Sequence, residues 1–150
     1  MNASEMPMPI FVVSDDALRD LVDMLSSETL LAIDTESNSM YVYRSRVCLI
    51  QVSTREHDYI IDPLAIEDMQ PFGELMKNPD IEKIFHGAEY DLLCLKRDFN
   101  FELVNLFDTM LTARLLRLEV QGLADLLYAY FQIDMDKTQR LSNWGVRPLT

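Results

Sequence analysis

Leu30-Leu31-Ala32-Ile33-Asp34-Thr35-Glu36 is the stretch whose reading decides the fold. Polar residues flank it on both sides and its side chains alternate in character, so it reads as a strand. Side chains two apart on a strand share a face. Asp34 and Glu36 therefore project together, while Ile33 and Thr35 point the other way. Two neighbouring carboxylates repel, and burial of such a pair drives both pKa values up. A divalent cation removes that cost, and hard oxygen ligands suit Mg²⁺ or Mn²⁺ better than zinc. Taken alone, an Asp-x-Glu pair is more often a solvated strand end.

Working outward, Val47–Ser53 and Asp58–Ile61 are two more short β-rich runs. Their closeness to Leu30–Glu36 predicts an antiparallel meander of three strands. Upstream, Ile10–Val13 is a β-branched run. Ser14-Asp15-Asp16 then caps a helix over Asp16–Ser26, where Ala17, Leu18, Leu21, Val22 and Leu25 recur at helical spacing. Downstream, Pro71–Lys77 fits a short helix, Ile81–His86 another strand, and Gly87 opens into a helix over Glu89–Phe99. Asp108-Thr109 caps a helix over Met110–Leu116, Leu123–Phe131 reads as one more, and Asp134–Thr150 reads as irregular. The pattern predicts an α/β fold, a mixed sheet of about five strands with helices on both faces.

The chain of 150 residues suits one domain. Residues 10–150 are expected to form it, with residues 1–9 a disordered tail. At 49% apolar residues it can bury a core, yet no apolar run approaches the roughly 20 residues of a membrane span. The first residues carry no secretory signal pattern. Cys48 and Cys94 sit in apolar sequence and read as reduced core thiols, which predicts a cytoplasmic protein without a zinc site. The net charge of −12 argues against a broad phosphate-binding face. The last forty residues are less acidic: Arg114, Arg117, Lys137, Arg140 and Arg147 stand against Glu119, Asp125, Asp134 and Asp136.

A second acidic motif is His86-Gly87-Ala88-Glu89-Tyr90-Asp91. It follows a strand and opens a helix, which sets Asp91 in the first helical turn, beyond the strand end where ligand sites of α/β sheets gather. An Asp there also simply suits the helix dipole.

In order, these segments resemble the ribonuclease D family of 3′-to-5′ exonucleases, in the DEDD superfamily, which includes the Werner-type helicase exonucleases. Asp34-Thr35-Glu36 with Val47-Cys48-Leu49-Ile50-Gln51 resembles the first motif and its companion strand, and His86 to Asp91 the second. Leu106-Phe107-Asp108-Thr109 and Ala113-Arg114-Leu115-Leu116 are similar to the segment after it. Lys137, Ser142-Asn143-Trp144 and Arg147-Pro148-Leu149-Thr150 are similar to the stretch before the third. The resemblance covers about residues 10–150. It implies a ribonuclease H-like fold and a two-metal-ion exonuclease acting on 3′ ends of RNA or single-stranded DNA. Asp34, Glu36 and Asp91 would be catalytic and would hold two Mg²⁺ or Mn²⁺ ions. Thr35, Met40, His86 and Lys137 would meet the nucleic acid, with Met40 as an apolar wedge beside the last bases.

The family's third motif, a Tyr followed four residues later by an Asp, belongs about ten residues beyond Thr150, so the domain is expected to be incomplete here. Tyr130 and Asp134 have the spacing but precede the Lys137–Thr150 landmarks. The truncated form is expected to be impaired, with an apolar strip left open to homodimer formation. The alternative is a non-catalytic module with this fold that binds nucleic acid or protein.

Overall fold

The computed structural model describes residues 8–149. The expected tail at residues 1–9 therefore lies largely outside the described residues, and Met8 and Pro9 lead into the first strand without regular structure. The elements are β1 (Ile10–Val12), α1 (Asp15–Leu25), β2 (Leu30–Ser37), β3 (Val47–Ser53), β4 (Asp58–Ile61) and α2 (Gln70–Met76). They continue with β5 (Glu82–Phe85), α3 (Glu89–Phe99), β6 (Leu106–Asp108), α4 (Thr109–Leu115) and α5 (Leu123–Phe131), and a 3₁₀ turn at Thr138–Leu141.

One sheet of six strands runs in the order β1-β4-β3-β2-β5-β6. The meander is as expected: β2 pairs antiparallel with β3, and β3 with β4. β1, β5 and β6 join in parallel pairings. β6 is the strand not foreseen from sequence. It is three residues long, on the edge, and matched to Lys83–Phe85 of β5. A run that short carries no readable alternation.

Local chemistry explains the ends of α1. Ser14 is extended and accepts from the Ala17 N–H at 3.3 Å, and Asp15 and Asp16 occupy the positive first turn. Its Leu18, Leu21 and Leu25 are buried against a core that includes Leu31 and Ile33 of β2 and Phe72 and Met76 of α2. Each such side chain contributes about 1.5–3 kcal/mol on burial. In β3, Val47, Cys48, Leu49 and Ile50 are buried in succession, as a strand covered on both faces must be.

The segment after α5 is clamped to the sheet by one side chain. Arg147 donates through Nε to Asp62 Oδ2 at 2.6 Å and through Nη2 to Asp62 Oδ1 at 2.8 Å. Nη2 also donates to the Cys48 carbonyl, and Nη1 to the carbonyls of Trp144 and Val146. Burial opposes the charge on Asp62, but the guanidinium together with the Leu64 and Ala65 N–H groups outweighs it and holds the carboxyl below its ordinary range. Hydrogen bonds to charged groups are worth about 1.5–3 kcal/mol each, so this cluster is a strong anchor for the segment.

Candidate metal and nucleic-acid site

β2 carries Asp34 and Glu36 at its outgoing end, with Asp34 opposite Gln51 and Glu36 opposite Leu49 on β3. The register slips between Glu36 and Ser37, so the strand breaks off just past the second carboxylate. Parallel pairing of β2 with β5 brings the turn after Phe85 to the same edge, and with it Asp91 of α3. That turn depends on Gly87. Its φ of +78° is open to glycine, and a Cβ there would lie 2.6 Å from the Met110 Cε. Asp108 fastens the turn, accepting from the N–H groups of Gly87 at 3.0 Å and Ala88 at 2.9 Å. The same carboxylate caps α4 through Met110 and Leu111. Burial works against its charge, but these four donors keep Asp108 below the usual carboxylate range.

All three carboxyls are held above their ordinary range. Burial, then the charge of Asp91, raises the Asp34 pKa to about 6. Burial, then Asp34 and Asp91, raises that of Glu36 to about 7. Burial also lifts Asp91, against the lowering pull of the Thr35 hydroxyl, which donates to Asp91 Oδ1. Asp34 keeps an open side to solvent, yet enough protein surrounds its carboxyl to desolvate it. The donor set, all carboxylate oxygen, fits a hard divalent ion. As placed, however, it is not a closed cage: among the described residues no three His, Cys, Asp or Glu side chains are gathered tightly enough to hold one. Asp91 is turned toward Thr35 instead.

A cleft of about 550 Å³ opens beside Glu36, walled by Gln51, His86, Asp136, Lys137 and Trp144 among others. Of the residues expected to meet nucleic acid, His86 and Lys137 thus stand on one cleft with Glu36. Thr35 is half-buried with its hydroxyl on Asp91, and Met40 stands exposed in the loop after β2. His86 Nδ1 lies 2.9 Å from Thr109 Oγ1, whose own proton goes to the Phe85 carbonyl at 3.0 Å. This assigns the Nδ1 proton to His86 and leaves Nε2 as an acceptor. Burial favours the neutral ring, lowering the His86 pKa. Sequence reasoning missed Gln51 and Asp136 as cleft residues, and read Asp108 as a helix cap without its hold on the Gly87 turn. The pairing of Gln51 with Asp34 in register was the one available signal. Trp144 Nε1 is buried with no hydrogen-bond partner among the described residues.

A six-stranded mixed sheet with paired acids ending an inner strand and a third acid opening the neighbouring helix defines a ribonuclease H-like nuclease domain. The chain belongs to the 3′-5′ exonuclease family, whose model matches residues 9–150. It is 40% identical over 140 residues to human exosome complex component 10, covering 93% of this chain and 16% of that protein. It is 35% identical over 144 residues to the exosome complex exonuclease RRP6 of Saccharomyces cerevisiae, covering 95% of this chain and 20% of the relative. The catalytic core of RRP6 from Trypanosoma brucei superposes with a TM-score of 0.92 at 34% identity, over 100% of this chain and 42% of that one. RNase D of Escherichia coli, an exoribonuclease involved in structured RNA processing, gives 0.87 at 31% identity, over 96% and 39%. The chain thus spans a small part of the curated relatives and about two fifths of these solved chains.

Proposed function

We propose that these residues form the metal-holding part of a two-metal-ion 3′-5′ exonuclease that hydrolyses terminal phosphodiester bonds of RNA or single-stranded DNA. The observation that carries this reading is the placement of Asp34 and Glu36 at the end of β2 beside Asp91 of α3, where burial raises all three carboxyls and the charge of Asp91 raises Asp34 and Glu36 further, a cost that a bound cation would relieve. Mg²⁺ or Mn²⁺, when bound, would activate the attacking water and stabilise the leaving 3′ oxygen. The chain's own groups bind and orient. Asp34, Glu36 and Asp91 hold the ions, Lys137 meets a phosphate, neutral His86 accepts from a sugar hydroxyl through Nε2, and Met40 wedges against the last bases. The test is a gel assay on end-labelled RNA and DNA, using residues 1–150 followed by a Tyr-x-x-x-Asp helix. The expected result is stepwise shortening from the 3′ end with Mn²⁺, abolished by EDTA. No shortening of any RNA or DNA would hand the site to the second reading.

That second reading is a non-catalytic module with this fold that binds nucleic acid or protein. It is favoured by the open arrangement of the acids, with no three gathered among the described residues. Buried free thiols at Cys48 and Cys94 support a cytoplasmic protein under either reading.

Homodimer formation by the 150-residue polypeptide also belongs to the proposal. α5 buries none of its residues, and Tyr128, Tyr130 and Phe131 stand exposed, as do Leu115 at the end of α4 and Leu116 just past it. An apolar patch of this kind favours association. Light scattering should show a dimer that dissociates on dilution, and Tyr128→Lys with Phe131→Lys should leave a monomer. A parent chain that is monomeric throughout would remove the dimer from the reading.

A further inference from the structure

We propose that the loop between β2 and β3, residues 38–46, is a docking platform for single-stranded nucleic acid, with Tyr43 as its stacking surface and Arg44 as its phosphate contact. The inference rests on the exonuclease reading of the neighbouring site and adds to it the place where the strand is held. The loop starts two residues past Glu36 and is built as a rigid arch rather than a slack connection. Asn38, itself buried, accepts through Oδ1 from the Arg46 N–H at 3.0 Å and through its carbonyl from the Tyr41 N–H at 2.9 Å. The far end is pinned by Asp98, which accepts from the Val47 N–H at 2.7 Å, and by Arg97, which donates to Ser45 Oγ at 3.2 Å. Tyr41 donates its hydroxyl to the Leu141 carbonyl, which ties the arch to the segment that walls the cleft at Lys137 and Trp144.

What this anchored frame presents outward is apolar, aromatic and basic. Tyr43 is 103% exposed, so its ring packs on nothing, and Met40 is 68% exposed. Folding gains nothing from leaving these groups in water, whereas an aromatic ring free on one face suits an unpaired base, whatever its identity. The charge distribution selects the occupant. Acids outnumber bases 25 to 13 in the chain, yet residues 37–55 hold Arg44, Arg46 and Arg55 and no acid. A positive stretch beside an acidic site, on an otherwise acidic protein, complements a phosphate backbone. Stacking ring and cationic neighbours together are the combination used to hold single strands without sequence readout.

Fluorescence anisotropy of a labelled oligouridylate and its deoxy counterpart on the 150-residue chain, in EDTA so that no hydrolysis intervenes, tests the platform. Tyr43→Ala should weaken binding by roughly 5- to 150-fold, the range of one lost stacked base. Tyr43→Phe should bind like the parent, since stacking needs the ring and not the hydroxyl. Arg44→Ala should flatten the slope of log affinity against log salt by about 0.7, the mark of one phosphate contact on a single strand. All three side-chain changes are at exposed positions, and matching thermal melts would show the fold intact. The platform is overturned if Tyr43→Ala and Arg44→Ala leave affinity and salt slope unchanged, or if the parent binds neither oligomer. Strand binding lost with Tyr43 while Mn²⁺ never supports cleavage would uphold the platform and sink the exonuclease reading. Cleavage with both variants binding normally would do the reverse.

Discussion

A polypeptide that ends at Thr150 should hydrolyse RNA or DNA ends at least roughly 10²-fold more slowly than the same residues followed by a Tyr-x-x-x-Asp helix, since positioning effects of this kind are worth factors of about 10² to 10⁴ each. Three carboxylates are present at the sheet edge, and they are not gathered into a cage among the described residues. A fourth would complete a metal position, and the Tyr would aim the attacking water. The one Tyr–Asp pair of that spacing within the chain, Tyr130 with Asp134, lies on exposed surface from the end of α5 outward. Asp125 and Asp136 do border the cleft with Glu36, so an internal substitute is physically conceivable and has a direct check. Assays of both polypeptides side by side in Mn²⁺ measure the ratio. Comparable rates would mean that Asp125, Asp134 or Asp136 completes the site, and Asp125→Asn, Asp134→Asn and Asp136→Asn would then identify which.

How much of this was legible beforehand follows from the range of each interaction. The meander, α1, α3 and α5 were readable because each writes its own period or cap: Ser14 before Leu18, Leu21 and Leu25, and alternation up to Asp34. Their ends differ from the expected ones by a residue or so, as with α4 at Thr109–Leu115 rather than Met110–Leu116, which is the usual fraying of terminal turns. β6 was not readable, because Leu106–Asp108 become a strand only through pairing with β5. The acids of the site were readable as a motif, since their sequence positions are local. Their electrostatic coupling was foreseen for Asp34 and Glu36 on one strand. The cleft was not, because it forms only where Gln51, set beside Asp34 by the β2–β3 pairing, faces Trp144 in the distant segment that the Arg147–Asp62 clamp docks. Simple alternation also left Thr35 on the far side from the acids, whereas its hydroxyl reaches Asp91 where the strand ends.

Asp34→Asn should make the metal-free protein more stable at neutral pH while costing the nuclease at least roughly 10² in rate, because a metal ligand's share of charge stabilisation is several kcal/mol. The two effects have one origin. Asp34 and Glu36 have folded-state pKa values of about 6 and about 7, above the ordinary 3.8 and 4.5. Groups raised in this way stabilise the fold fully below their ordinary pKa, and that contribution is lost as pH rises through the folded values. Between about pH 4 and 7 the parent should therefore lose stability that Asp34→Asn keeps. His86 contributes with the opposite sign, since burial lowers its pKa and its contribution is lost as pH falls. The informative quantity is accordingly the difference in melting temperature between parent and variant. It should be small below about pH 4 and widen toward pH 7 in EDTA, and Glu36→Gln should behave alike with its window about one pH unit higher. Mn²⁺ should close the gap by stabilising the parent more than the variant, since an ion bound only by the folded state adds its binding energy to stability. A variant that melts below the parent at pH 8 without metal would mean that some other group already neutralises these acids. A variant in the extended chain that keeps its rate would remove Asp34 from the reaction. Stability spent on holding like charges together is the expected signature of a site shaped for a cation.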